Sequence, residues 1–156
     1  MTRELFIQYV KDNQGRLRRY LIALCCGDTQ TADDIAQETY MKAYLASDTF
    51  KDETKFTAWI FRIAYNTFIS ARRAVRHTED FENAGAVMAE DKGDYQGLYM
   101  ALDRLSEKER SAVLLFYIQG YAVKEIAEVM NTTENAVKLQ LSRGRAHLRD
   151  LLDKIN

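Results

Sequence analysis

The sequence predicts an all-α fold of two small helical domains joined by a flexible acidic linker. The chain has no proline and only seven glycines among 156 residues, so the turn residues that an all-β protein needs are scarce. Its hydrophobic residues recur at the three- and four-residue spacing of amphipathic helices. Acidic groups concentrate in the middle, where residues 74–100 carry six acidic and two basic side chains. We therefore expect domains at residues 1–75 and 99–156 with a linker at 76–98.

The N-terminal domain is predicted to contain three helices. The first carries a hydrophobic stripe and ends at Gly27. The second begins at Thr31, whose hydroxyl can cap the free backbone amides, and Asp34 favours the positive helix end. A polar loop at 47–55 leads to a third helix at about 56–73, in which Trp59 is more typical of a core than of a base-stacking position. The core stripes of the three helices are Phe6, Val10, Leu17, Leu21 and Leu24; Ala32, Ile35, Ala36, Thr39 and Ala43; and Phe56, Ile60, Ile63 and Thr67.

The C-terminal domain is predicted to contain a helix-turn-helix. The helical pattern resumes at Tyr99, and Ser106 with Glu109 forms a capping box ahead of an apolar run at 113–118, which predicts a core helix. A short helix at 123–130 and a turn at Asn131, a residue type that tolerates the left-handed conformation, then precede a last helix that continues to near residue 152.

The last helix has one buried and one polar side. Its predicted buried stripe is Val137, Leu141, Gly144, Leu148 and Leu151. Residues 134–149 carry four basic groups and one acidic group, so the local field favours phosphate although the whole chain has a net charge of −1. A solvated basic helix would show the same pattern, and only the preceding short helix and turn favour binding in the major groove.

Several function classes are disfavoured by the sequence. No segment approaches the roughly 20 apolar residues that span a bilayer, so we expect a soluble, cytoplasmic protein without membrane insertion. Cys25 and Cys26 are adjacent, which disfavours a disulfide between them, and no Cys/His spacing indicates a metal. His77 and His147 lie far apart, and no nucleophile–base motif or phosphate loop accompanies them. We expect no cofactor and no enzyme activity.

Two ordered stretches resemble the extracytoplasmic-function (ECF) sigma factors of the sigma-70 family. LSEKER at 105–110, KEIA at 124–127 and LSRGR at 141–145 resemble their domain 4. ADDIAQETY at 32–40 and FTAWIFRIAYN at 56–66 resemble their domain 2. The resemblance implies a sigma factor that binds RNA polymerase core and directs promoter-specific initiation, with domain 2 before the linker and domain 4 after it.

The resemblance also implies which residues form each surface. Residues expected to read the −35 element are Asn135, Lys138, Leu139, Ser142, Arg143 and Arg145. Those expected to bind flipped bases of the −10 element are Arg62, Tyr65, Asn66 and Arg73. Those expected to contact the polymerase are Asp34, Gln37, Glu38 and Met41. The implied partners are polymerase core, through its clamp coiled coil and flap, promoter DNA, and an anti-sigma factor, either soluble or membrane-anchored.

This chain departs from the family pattern at three positions. Ser106 replaces the proline usual at the start of domain 4, and the capping box can compensate for it. Leu139 and Gln140 stand where small polar and basic residues are common, and Leu139 can instead touch a thymine methyl group. The sequence leaves one alternative open, a stand-alone helix-turn-helix regulator with an N-terminal half that senses a ligand or dimerises.

Overall fold

The computed structural model of the protein describes residues 1–79 and 95–155, which form seven α-helices and no strand. The helices are α1 (Arg3–Leu24), α2 (Thr29–Ala46), α3 (Phe56–Glu79), α4 (Gln96–Asp103), α5 (Glu107–Val113), α6 (Val123–Val129) and α7 (Glu134–Ile155). Two 3₁₀ turns, Ser47–Thr49 and Glu53–Lys55, lie between α2 and α3, and α5 continues as a π-helical turn, Leu114–Ile118. We call α1–α3 the N-terminal bundle and α4–α7 the C-terminal bundle.

The N-terminal bundle packs around aromatic and aliphatic side chains. Helix α2 packs against both α1 and α3. Phe56 and Phe61 of α3 are fully buried among residues of α1 and α2 that the hydrophobic spacing had placed in the core, such as Leu21. Helix α1 ends in a turn in which Cys26 and Gly27 have positive φ angles of 55° and 91°, which confirms Gly27 as a breaker of the first helix.

The start of α2 differs from the prediction. Asp28, and not Thr31, is the N-cap: its carboxylate accepts a hydrogen bond from the Thr31 backbone amide at 3.1 Å and from the Thr31 hydroxyl at 2.6 Å. A carboxylate satisfies two donors there and also complements the positive helix end, so it displaces the hydroxyl from the capping position.

The helices beside the predicted linker are longer than expected. Helix α3 continues to Glu79, and α4 begins at Gln96, so both ends of the predicted 76–98 linker are helical. The acidic centre of that linker, residues 80–94, lies outside the described residues.

The C-terminal bundle follows the local signals closely. Ser106 and Glu109 form the predicted capping box, with both hydrogen bonds at 3.1 Å. Asn131 has the predicted left-handed conformation, with φ 52°. The apolar run at 113–118 is only partly core: its first three residues are buried, whereas Tyr117 and Ile118 are 51% and 64% exposed. Six consecutive residues surround a helix on all sides, and only one side faces a core.

The two bundles pack against each other. Helix α3 contacts α6, and α1 contacts α4, α5 and the π-helical turn. Buried residues of the two bundles form one continuous hydrophobic cluster. None of the helices, within the residues described, is long and apolar enough to cross a membrane.

Candidate nucleic-acid interface

Helix α7 presents a polar face that is held away from the core. The Thr133 hydroxyl accepts a hydrogen bond from the Ala136 amide at 3.1 Å and so caps the helix start. Val137 and Leu141 are buried, as predicted. All six residues predicted to read duplex DNA lie on the exposed side: Asn135, Lys138, Leu139, Ser142, Arg143 and Arg145.

Close packing of α5 against α7 fixes the direction of this face. A Cβ atom at Gly144 would lie 2.7 Å from Cγ2 of Val113, so only glycine allows the two helices to approach this closely. On the outer side, Arg145 donates a hydrogen bond to the Tyr117 hydroxyl at 3.1 Å. Leu139 is 47% exposed, so an apolar side chain stands among the polar and basic ones.

The four residues predicted to bind single-stranded bases do not share one environment. Asn66 and Arg73 are exposed. Arg62 is exposed but donates a hydrogen bond across the bundle interface to the Asn131 side chain at 3.3 Å. Tyr65 is only 5% exposed, and burial, with a contribution from the nearby Glu107 carboxylate, raises its pKa to about 12. In this arrangement the C-terminal bundle is thus close to two of the four residues.

Aromatic packing supports the loop before α3. Trp59 is half-buried and stacks on Phe50, with ring centroids 4.5 Å apart and planes inclined by 16°. Phe56 contacts both rings and is itself buried. Trp59 therefore braces the loop, and its packing against the core agrees with the core position expected for it.

The outer side of α2 combines acidic and exposed apolar groups. Asp34, Gln37, Glu38 and Met41 are all exposed, as predicted. Met41 is 66% exposed, and Leu45, one turn further along the helix, is 80% exposed. Contiguous exposed apolar side chains bordered by charge are typical of protein interaction surfaces.

The contacts between the bundles were not predicted. Arg110 is buried, and its guanidinium donates to the backbone carbonyls of Leu24, Leu102 and Leu105 at 2.7, 2.8 and 3.1 Å. The buried hydroxyls of Tyr20 and Ser111 share a hydrogen bond of 2.8 Å. Arg110 follows the charged residues Glu107, Lys108 and Glu109, so its local sequence gives no signal that it is buried, and one of its partners lies 86 residues away.

The cysteines and other polar groups do not form a reactive centre in the described part of the chain. Cys25 and Cys26 are free, and burial raises the pKa of Cys25 to about 12 and that of Cys26 to about 11, so both thiols are protonated near neutral pH. Among residues 1–79 and 95–155, no cluster of three or more His, Cys, Asp or Glu side chains could hold a metal ion.

Comparison with known proteins gives the same order of domains. Residues 9–78 match the family described as Sigma-70 region 2, and residues 95–148 match Sigma-70, region 4. The chain is 32% identical over 145 residues to the ECF RNA polymerase sigma factor SigW of Bacillus subtilis, covering 81% of this chain and 78% of that protein. It is 28% identical to SigM of the same organism, covering 97% and 94%. The sigma factor RpoE, solved with the anti-sigma factor NepR from Bartonella quintana, superposes with a TM-score of 0.81 at 29% identity, covering 95% of this chain and 96% of that one.

Proposed function

Because this chain belongs to the ECF RNA polymerase sigma factors of the sigma-70 family, we propose that its two bundles hold the two elements of a promoter through the surfaces described above. The chain is a sigma factor that directs RNA polymerase to promoters, and this membership does not favour a stand-alone regulator. The single observation that carries the proposal for DNA is the exposed polar face of α7.

We assign −35 recognition to that face. Arg143 and Arg145 can bond guanine edges or phosphates, and Leu139 can contact a thymine methyl group. Replacing Arg143 with alanine is expected to weaken promoter binding by the holoenzyme by about 1–3 kcal/mol, the usual cost of a lost base contact. The measurement is a titration of −35 duplex with reconstituted holoenzyme.

The matched control removes an arginine outside α7. Arg104 is exposed beyond the end of α4, so Arg104→Ala makes the same charge change without altering the proposed DNA face. If Arg143→Ala and Arg104→Ala bind promoter equally well, the assignment of Arg143 to the −35 element is wrong.

We assign capture of melted −10 bases to α3 and the loop before it. Asn66 and Arg73 are exposed there, and Arg62 and Tyr65 lie one turn apart on the same helix. Unstacked bases bind through aromatic stacking and through polar groups that reach their free edges. A fluorescent adenine analogue in the −10 element should report slower melting with Asn66→Ala than with the unaltered holoenzyme.

Two protein partners follow from the same family membership. The acidic and apolar face of α2, with Asp34, Gln37, Glu38 and Met41, is proposed to dock on the clamp coiled coil of the polymerase, and the C-terminal bundle on its flap. The related sigma factor RpoE was solved with the anti-sigma factor NepR, and CnrH with the cytosolic domain of CnrY. An anti-sigma factor, soluble or membrane-anchored, is therefore proposed as the inhibitor of this chain as well.

One experiment distinguishes the sigma factor from the alternative, a stand-alone regulator. A stand-alone helix-turn-helix regulator would bind promoter duplex without polymerase, whereas this chain is expected to bind it tightly only after core polymerase is added. A gel shift with and without core polymerase measures the difference. We propose that catalysis belongs to the polymerase and that this chain acts in the cytoplasm without a cofactor.

A further inference from the structure

One stripe of α3 faces the C-terminal bundle along its length. Residues 62, 65, 69, 72 and 76 follow each other at spacings of three and four, which places them on one side of the helix. Three arginines of this stripe bond to the C-terminal bundle: Arg62 to Asn131, and Arg72 and Arg76 to Glu107. The side of α3 assigned above to promoter bases is therefore continuous with the side that the second bundle covers.

Glu107 lies between two guanidinium groups. It is the first residue of α5, and its Oε1 atom accepts hydrogen bonds from Arg72 Nε at 3.2 Å and from Arg76 Nη2. Its side chain is only 17% exposed. Partial burial alone would raise its pKa, but the hydrogen bonds from Arg76 and Arg72 outweigh burial and lower the pKa below its usual range. Glu107 is thus a fixed anion at the place where two arginines converge.

We propose that Arg72 and Arg76 form a phosphate-binding pair for the single-stranded promoter DNA, and that Glu107 occupies this pair while the chain is free of polymerase. The proposal rests on the function assigned to α3 above. A carboxylate oxygen and a phosphate oxygen make the same charge-assisted hydrogen bonds with a guanidinium, so the two compete for one site. The closed arrangement of the bundles is then autoinhibitory.

The same contact explains the position of Tyr65. With the bundles closed, Tyr65 is buried near Glu107 and cannot reach a base, and the exposed Arg62 is bonded to Asn131 of the other bundle. Moving the C-terminal bundle away from α3 would release the arginine side chains and the Tyr65 ring together. The buried bonds of Arg110 and Tyr20 resist this movement, which makes the closed form the resting state without partners.

The charge contact is tested with the full chain, without polymerase, and a short single-stranded oligodeoxynucleotide. Glu107→Gln should tighten binding by about two- to tenfold, the range expected when partly exposed ion pairs are released. The salt dependence should steepen by about 0.7 in log–log slope for each arginine that engages a phosphate. Adding Arg72→Gln and Arg76→Gln to that variant should abolish the gain. The control is Glu4→Gln, which removes the same charge from an exposed first turn of α1.

The closed arrangement is tested by cross-linking. Arg16 and Gln119 bond across the bundles at 3.3 Å and lie outside the proposed DNA surface. Arg16→Cys with Gln119→Cys can be joined by a short, reductant-cleavable thiol cross-linker, while the raised pKa values of Cys25 and Cys26 keep those thiols slow to react. The locked chain should neither bind the oligonucleotide nor support transcription with core polymerase, and reductant should restore both.

Any of three outcomes would overturn the inference. These are that the two thiols fail to cross-link, that the locked chain remains active, or that Glu107→Gln binds the oligonucleotide no better than Glu4→Gln does. In each case promoter-directed transcription by the unlocked chain with core polymerase would leave the proposed function intact. Loss of that transcription in the unaltered chain would instead contradict the proposed function.

Discussion

Arg110 is a buried cation whose charge is balanced by dipoles of the backbone. Its guanidinium donates to three carbonyls, one of which, that of Leu24, is at the carboxyl end of α1 in the other bundle. The negative end of a helix dipole stabilises a cation placed there. Arg110 therefore stabilises the turn between α4 and α5 and the bundle interface at once.

Arg110→Met should lower the free energy of unfolding by about 2–5 kcal/mol, because hydrogen bonds from a charged donor are lost and buried carbonyls remain unpaired. Urea unfolding followed by circular dichroism measures the change. Arg104→Met, at an exposed arginine six residues earlier, should change it by less than about 0.5 kcal/mol. Equal effects of the two variants would show that the three hydrogen bonds contribute nothing to stability.

The lowered pKa of Glu107 predicts how the stability of the chain depends on pH. Because its pKa is lowered in the folded chain, its contribution to stability is present above the usual carboxyl range and is lost as the pH falls through it. The chain should therefore be slightly more stable than Glu107→Gln at pH 7, by no more than about 1 kcal/mol for partly exposed pairs. This difference should shrink below about pH 4. Unfolding curves of both proteins across this range measure it, and a constant difference would contradict it.

The residues that could be predicted from the sequence are those whose partners are local. The Ser106–Glu109 capping box and the left-handed Asn131 depend on three or four neighbouring residues, and both are confirmed. Arg110 and Tyr20 bond to groups 86 and 91 residues away, and no sequence pattern names such partners.

At the scale of helices, the contact of α5 with α7 depends on Gly144. The Cβ of an alanine would lie 2.7 Å from the Val113 side chain, and such overpacking costs about 1–3 kcal/mol. Gly144→Ala should therefore destabilise the chain, although alanine has the higher helix propensity. The same variant should also weaken −35 binding, since it displaces the helix that carries the proposed DNA face.

Gly15 supplies the matched control within α1. A Cβ there would meet only the flexible end of Arg19, at 3.4 Å, so Gly15→Ala should stabilise the chain by up to about 1 kcal/mol through helix propensity. Thermal unfolding of both variants measures the opposite signs. Stabilisation by Gly144→Ala would mean that α5 and α7 move apart without cost.

Helix positions were predictable, and helix ends were less so. The core stripes of α1, α2 and α7 follow from hydrophobic spacing, but α3 continues to Glu79 beyond its predicted end. Arg76, in the added turn, bonds to Glu107 of the other bundle, a contact that only tertiary structure supplies. Asp28 replaced Thr31 as the cap of α2 because a carboxylate is the stronger acceptor there.

At the scale of the molecule, the sequence indicated two separate domains, whereas the structure joins them through a shared buried interface. The exposed faces of α2 and α7 were predictable because each helix has one apolar and one polar side. Tyr65 was expected on an accessible surface, but it is buried in the closed arrangement. Its environment depends on where the second bundle lies, which the pattern of α3 alone does not contain.

The shared interface should make the two bundles unfold together. Trp59, the chain's one tryptophan, reports on the N-terminal bundle alone, whereas circular dichroism reports on both. In urea, the two signals should change at one midpoint, as expected when the bundles stabilise each other. Tyr20→Phe with Gln119→Ala removes hydrogen bonds that cross the interface, so the two midpoints should separate.

The control for this experiment weakens a contact inside one bundle. The Thr57 hydroxyl donates to the Asn13 side chain at 3.1 Å, within the N-terminal bundle, so Thr57→Val should lower stability while the two midpoints still coincide. Coupled unfolding requires that the bundles be closed when the chain is alone, which is the condition under which Glu107 can hold Arg72 and Arg76. Separate midpoints in the unaltered chain would show that the bundles are independent. That result would contradict the closed resting state and the autoinhibition that depends on it.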